Sequence, residues 1–176
     1  MVDIVPEGGC VLVSCCFDEN TNYLALIKTR LRDQYIQDWN ATLQVTSKLS
    51  YYNSFKNTFG LEEYINKINN DALRKQFTCF RLCLHHLEIE FGRFAGINRE
   101  NRLCKLCIKN VIESEYHFLL CCPHYYNIRR KYFNNTSWPS LNMFNKLMSS
   151  NNKQQLNSIY VYSKEVFKLR KNTLQI

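Results

Sequence analysis

The sequence predicts a mainly α-helical domain of about five or six helices, irregular in architecture and stapled by one Cys-Cys-His-Cys knuckle. Three observations lead there. Apolar residues recur at three- and four-residue steps over residues 24–43 and 73–91, the period of an amphipathic helix. Asn69-Asn70-Asp71 and Pro123 stand where a helix start wants a cap or a first-turn residue. Residues 102–123, RLCKLCIKNVIESEYHFLLCCP, set a C-x₂-C pair, Cys104 and Cys107, ahead of His117 and Cys122.

Residues 1–20 are unlike the rest. Pro6-Glu7-Gly8-Gly9 is turn chemistry, and the run from Cys10 to Cys16 is β-prone with no partner strand. They read as an ill-ordered leader before a single helical domain over 21–176. From Tyr23 onward, Leu24, Ile27, Leu31, Tyr35, Trp39 and Leu43 mark one helical face, with Lys28, Arg30, Arg32, Asp33 and Asp38 on others. Residues 50–60 are aromatic and poorly periodic, a loop or broken helix. Tyr51, Tyr52, Phe55 and Phe59 there read as core rather than as a platform for nucleobases.

A short helix is expected over 61–68. The clearest one spans 71–91, with Leu73, Phe77, Phe80, Leu84, Leu87 and Phe91 on one face and Gly92 ending it. His85 and His86 are adjacent, so on a helix they diverge by about 100° and do not readily share a metal. Pro123 opens a helix over 124–133, closed by the polar residues 134–137. Ser137 or Pro139 starts a short helix carrying Leu141, Phe144 and Leu147. The last, over 153–173, lines up Leu156, Ile159, Tyr160, Ser163, Val166, Phe167 and Arg170. The expected core includes Leu31, Tyr35, Trp39, Leu73, Phe77, Phe80, Leu84 and Phe118.

Soft thiolates with one imidazole suit tetrahedral zinc. The C-x₂-C turn lets two sulfurs face one point, and His117 and Cys122 lie just over one helical turn apart. With all four positions taken by protein, no place remains for a catalytic water, so the site reads as structural. Nine cysteines keep a second reading open, in which some of these thiols are buried small apolar residues. Cys121 is the one credible substitute for Cys122.

The chain carries a net charge of +8, unevenly spread. Residues 93–132 hold eight basic side chains against three acidic ones, and residues 151–176 hold five against one. A basic patch around the knuckle and the last helix suits a polyanion. The odd cysteine number and the absence of a secretory signal point to an intracellular, reduced chain. No enzyme constellation is present: there is no paired-aspartate polymerase motif, no phosphate-binding glycine loop, no nucleophile elbow and no H-E-x₂-H. The deaminase order, Glu two residues after His, is reversed here.

Cys104, Cys107, Glu113, Glu115, His117, Cys122 and Pro123 reproduce the pattern C-x₂-C, E-x-E-x-H, H-x₄-C-P. In that context, flanked by Leu87-Glu88-Ile89-Glu90-x-Gly92-Arg93 and by residues 125–129, the chain resembles the zinc-binding region beyond the polymerase in LINE-type (non-LTR) retrotransposon reverse transcriptases. The resemblance covers residues 31–132, weakens through the last helix and is absent before residue 20. It implies zinc held by Cys104, Cys107, His117 and Cys122, and a non-catalytic role in holding RNA or DNA. Arg99, Arg102, Lys105 and Lys109 on the approach to the knuckle, with Arg129, Arg130 and Lys131 on the exit helix, are the expected phosphate contacts. A structural or protein-interaction domain and a decayed element fragment are the competing expectations.

Overall fold

The computed structural model describes residues 22–133 and 139–175, so the expected leader and the closure at 134–137 lie outside the described residues. The chain divides into two units, 1–38 and 39–176. That division falls within the first helix.

Helix α1 (Tyr23–Val45) begins where Asn22 Oδ1 accepts a hydrogen bond from the Ala25 amide at 3.1 Å. In the first unit its stripe of Leu24, Ile27, Leu31 and Tyr35 is exposed, so Leu31 and Tyr35 do not join the core expected for them. The periodicity specifies a helix with an apolar face; it does not name the surface that face meets. In the second unit Leu43 is buried, and Trp39, half-buried, meets the Phe59 ring edge-on at 5.7 Å.

The second unit continues through α2 (Tyr52–Phe55), α3 (Glu63–Lys67), α4 (Asp71–Arg81), α5 (Glu88–Phe94), α6 (Tyr126–Tyr132), α7 (Leu141–Met148) and α8 (Lys153–Leu174). The protein is mainly helical, as the sequence predicts, with more and shorter helices than expected. Caps fix several starts. Asn70 Oδ1 accepts from the Leu73 amide, Ser140 Oγ from Met143, and Asn152 Oδ1 from Gln154 and Gln155. Ser140, the residue after Pro139, therefore starts α7, while Ser137 lies outside the described residues.

Helices α4 and α6 pack on α8, and Phe118 sits fully buried where they meet. Its ring touches those of Phe80, Tyr125, Tyr162 and Phe167, with centroids 4.7–5.9 Å away. The aromatics of 50–60 serve packing. Tyr51 and Phe55 lie against Phe144, and Tyr52, Phe55, Tyr64 and Phe77 surround the buried Arg81 guanidinium at 4.8–5.9 Å.

The helix expected over 71–91 is broken. α4 stops at Arg81, Cys83 takes a left-handed conformation with φ 56°, and α5 starts afresh at Glu88. The new start is fixed from afar, since the Glu88 amide donates to Glu113 Oε2 at 2.8 Å. The break turns Leu84 and Phe91 outward, so Leu84 is not core. Gly92 lies inside α5 rather than ending it; Gly96, at φ 70°, supplies the left-handed residue just past the helix. Gly92 is required for closeness instead, because a Cβ there would stand 2.7 Å from Arg102 Cγ.

At the centre Arg170, on the buried stripe of α8, donates to both oxygens of Glu113 at 3.1 and 2.8 Å and to Glu88 at 3.1 Å. All three residues are buried. Replacing Arg170 by Ala leaves Glu113 buried without a cation and Glu88 with Lys105 alone, and we expect a loss of about 3–5 kcal/mol in denaturant unfolding. A loss below about 1 kcal/mol contradicts the assigned role. Gly92→Ala raises helix propensity by about 1 kcal/mol, yet we expect net destabilisation of about 1–3 kcal/mol from overpacking against Arg102. A stabilised Gly92→Ala protein rejects that close approach.

Candidate metal centre

Residues 103–112 form a tight loop closed by one antiparallel bridge between Leu103 and Ile112. The Cys104 amide donates to Val111 O and the Glu113 amide to Arg102 O, both at 2.9 Å. Asn110, at φ 47°, makes the reversal, a conformation asparagine tolerates better than most residues. This loop holds Cys104 and Cys107.

The other two donors come from a π-helical turn, His117–Cys121, closed by the Cys122 amide on His117 O at 2.8 Å. This geometry answers a difficulty in the sequence spacing. On an α-helix, residues five apart are rotated by about 140° relative to each other. The wider i→i+5 turn brings His117 and Cys122 round toward one side. Arg129 secures the exit, its guanidinium donating to Leu119 O and Cys122 O, both at 2.8 Å.

Cys104, Cys107, His117 and Cys122 offer four donor atoms all within 4.8 Å of one another, a group that can hold a metal ion. The Cys104 and Cys122 sulfurs are 4.0 Å apart, and Cys107 Sγ is 3.5 Å from His117 Nε2. A tetrahedral ion with bonds of ~2.3 Å to sulfur and ~2.0 Å to nitrogen has edges of roughly 3.8 and 3.5 Å, so the residues fit. The hydrogen bond between Cys104 and Cys122 pushes the first thiol up to about 12, helped by burial, and pulls the second down. Cys122 belongs to the group and Cys121 does not.

Glu113 and Glu115, the acidic pair before His117, both point inward. Glu113 binds Arg170 and the start of α5. Glu115 accepts from His85 Nε2 at 2.8 Å and from the Cys83 thiol. Burial alone would raise the Glu115 carboxyl; the hydrogen bonds from His85 and Cys83 bring it below its ordinary range. Cys83, His85 and Glu115 also cluster closely. His85 Nδ1 accepts from the Leu87 amide at 3.4 Å, so Nε2 carries the proton it gives to Glu115. That trio is a buckle across the α4–α5 break. His86 is exposed, so the two histidines do diverge.

The seven expected phosphate contacts separate into three groups. Arg99, Lys109 and Arg130 are exposed and hold no ion pair among the described residues, Arg130 lying over the Tyr126 ring. Lys105 and Lys131 are exposed but paired, with Glu88 and Glu165, each at 2.9 Å. Arg102 and Arg129 are committed to carbonyls: Arg102 donates to Ile97 O and Ile89 O, and Arg129 is buried. The structure therefore does not gather Arg129, Arg130 and Lys131 into one grip. Sequence reasoning passed over Glu113 and Arg129 as supports of the centre. The alternation of Glu113 and Glu115 ahead of His117 was the available signal, since period-two residues in an extended segment share a face.

No family model, no curated protein and no solved structure matches the chain.

Metal analysis of purified protein is expected to give one ion per chain, lost in Cys104→Ser and Cys122→Ser and kept in Cys121→Ser. Metal retained by Cys122→Ser but lost by Cys121→Ser overturns the donor set.

Proposed function

We propose that the chain is a non-catalytic nucleic-acid-binding module of retroelement origin, stapled by zinc through Cys104, Cys107, His117 and Cys122, that holds RNA or DNA mainly by its phosphates. The observation that carries this reading is the closed donor set of three sulfurs and one imidazole within 4.8 Å. Sulfur-rich tetrahedral donors favour zinc, and four protein donors leave no open position for chemistry. Zinc here organises a surface. Three thiolates outweigh its charge, so the knuckle is locally about −1 and draws no phosphate by itself. Attraction falls to the cations around it. Arg99, Lys109 and Arg130 are exposed and unpaired among the described residues, and Lys105 and Lys131 can exchange a carboxylate for a phosphate at the surface. The retroelement origin rests on the resemblance of the motif and its flanks.

A second reading, a structural or protein-interaction domain, is favoured by Arg102 and Arg129, whose guanidiniums are spent on backbone carbonyls. Fluorescent RNA and DNA titrated at several salt concentrations separate the two. Neutralising about four phosphates gives a slope of log K on log salt of about −3 to −4. An Arg99→Ala, Lys109→Ala, Arg130→Ala triple variant is expected to weaken binding and flatten the slope while keeping its metal. Native protein with no measurable affinity at ~0.15 M salt leaves the interaction domain standing.

A further inference from the structure

Away from the knuckle, a groove of about 760 Å³ opens between the α4–α5 break and the C-terminal half of α8. Its walls are largely apolar. Leu84 and Phe91 are more than half exposed there, turned outward by the break at Cys83. Phe167 faces them from α8, its ring stacked on Phe118 at 4.7 Å and so held rigidly. Four cations line the groove, Lys105, Lys164, Arg170 and Lys171, against the single carboxylate of Glu88. Arg170 is already spent on Glu113 and Glu88. Lys164 and Lys171 are exposed and hold no ion pair among the described residues. They are seven residues apart on α8, roughly 10 Å along its axis, and flank Phe167. Lys105 stands on the opposite side, its Nζ 5.6 Å above the Phe91 ring, and joins the groove to the knuckle.

An exposed ring, Phe91, and a half-buried one, Phe167, beside unpaired cations are what single-stranded nucleic acid asks for: a ring to stack on and charges for the flanking phosphates. The volume is that of a small-ligand site, sized for one or two bases and too small to seat a duplex. We propose that single-stranded nucleic acid lodges an unpaired base in this groove against Phe91 and Phe167, with the adjoining phosphates on Lys164 and Lys171. The inference rests on the nucleic-acid reading above and gives it a site on α8 and α5 that the knuckle's own cations do not supply. It also explains why α8 keeps a basic face beside its buried stripe.

The test uses the full chain with a fluorescent single-stranded RNA and a duplex of equal length. Native protein is expected to prefer the single strand. Lys164→Gln with Lys171→Gln is expected to weaken single-strand binding at least tenfold and to flatten the salt slope by about 1.4. Phe91→Ala is expected to weaken it roughly tenfold with the slope unchanged, and Phe91→Tyr to retain native affinity. Phe91→Leu, which keeps apolar volume and loses the ring, reads the stacking should Phe91→Ala fold poorly; metal content and melting midpoint check each variant. If native protein binds RNA and none of these changes moves the affinity, the groove is overturned while the nucleic-acid function stands. If native protein binds no nucleic acid, both fall. Capture of an acidic amphipathic peptide that depends on Lys164 and Phe91, with RNA affinity untouched, assigns the groove to a protein partner and also overturns the proposal.

Discussion

The buried contact of Arg170 with Glu113 and Glu88 is the constraint on which the second unit depends. One guanidinium from the last helix answers a carboxylate from the end of the knuckle loop and another from the first turn of α5. Charges taken out of water are costly unless each is met by partners of good geometry, and here every part is met. Glu113 also accepts the Glu88 amide, so the pair settles where α5 begins. Three segments distant in sequence are thereby held in one register. Removing any one member leaves the others charged and buried.

From that anchor the arrangement of the centre follows. Glu113 fixes the end of the loop carrying Cys104 and Cys107. His85 and Cys83 hold Glu115 two residues on, which sets the entry to the π turn. Arg129 fixes its exit. Side chains that composition suggests as surface charges thus work as internal brackets that aim four donors at one point. The charge left over for partners is correspondingly smaller than the net +8 implies. It sits at the edges of the knuckle and along the outer face of α8.

Much of this was legible in the sequence because it is local. Apolar periodicity gave α1, α4 and α8, and Asn70 marks a start through a hydrogen bond that spans three residues. The spacing of Cys104, Cys107, His117 and Cys122 singled out four residues that the fold brings within 4.8 Å of one another, since side chains that share a point must recur at intervals a turn allows. Phe77, Phe80 and Phe118 were core on pattern alone.

What only the tertiary structure decided is where distant partners overrule local preference. Nothing near residue 83 interrupts the helical pattern, with neither proline nor glycine between Arg81 and Glu88. Glu113 and Glu115 bind on the far side of the break from 25 and 30 residues away. Arg102, Arg129 and Arg130 look alike in sequence, yet two close on carbonyls and one meets solvent, a choice made by burial. Leu31 and Tyr35 show the same limit, for an apolar stripe records that a helix has a face to cover and leaves the cover unnamed. The sequence by itself determined which residues can form helices and which can ligate. The fold alone determined which charges are satisfied inside and which remain for a partner, because that depends on long-range pairs for which the local code carries no term.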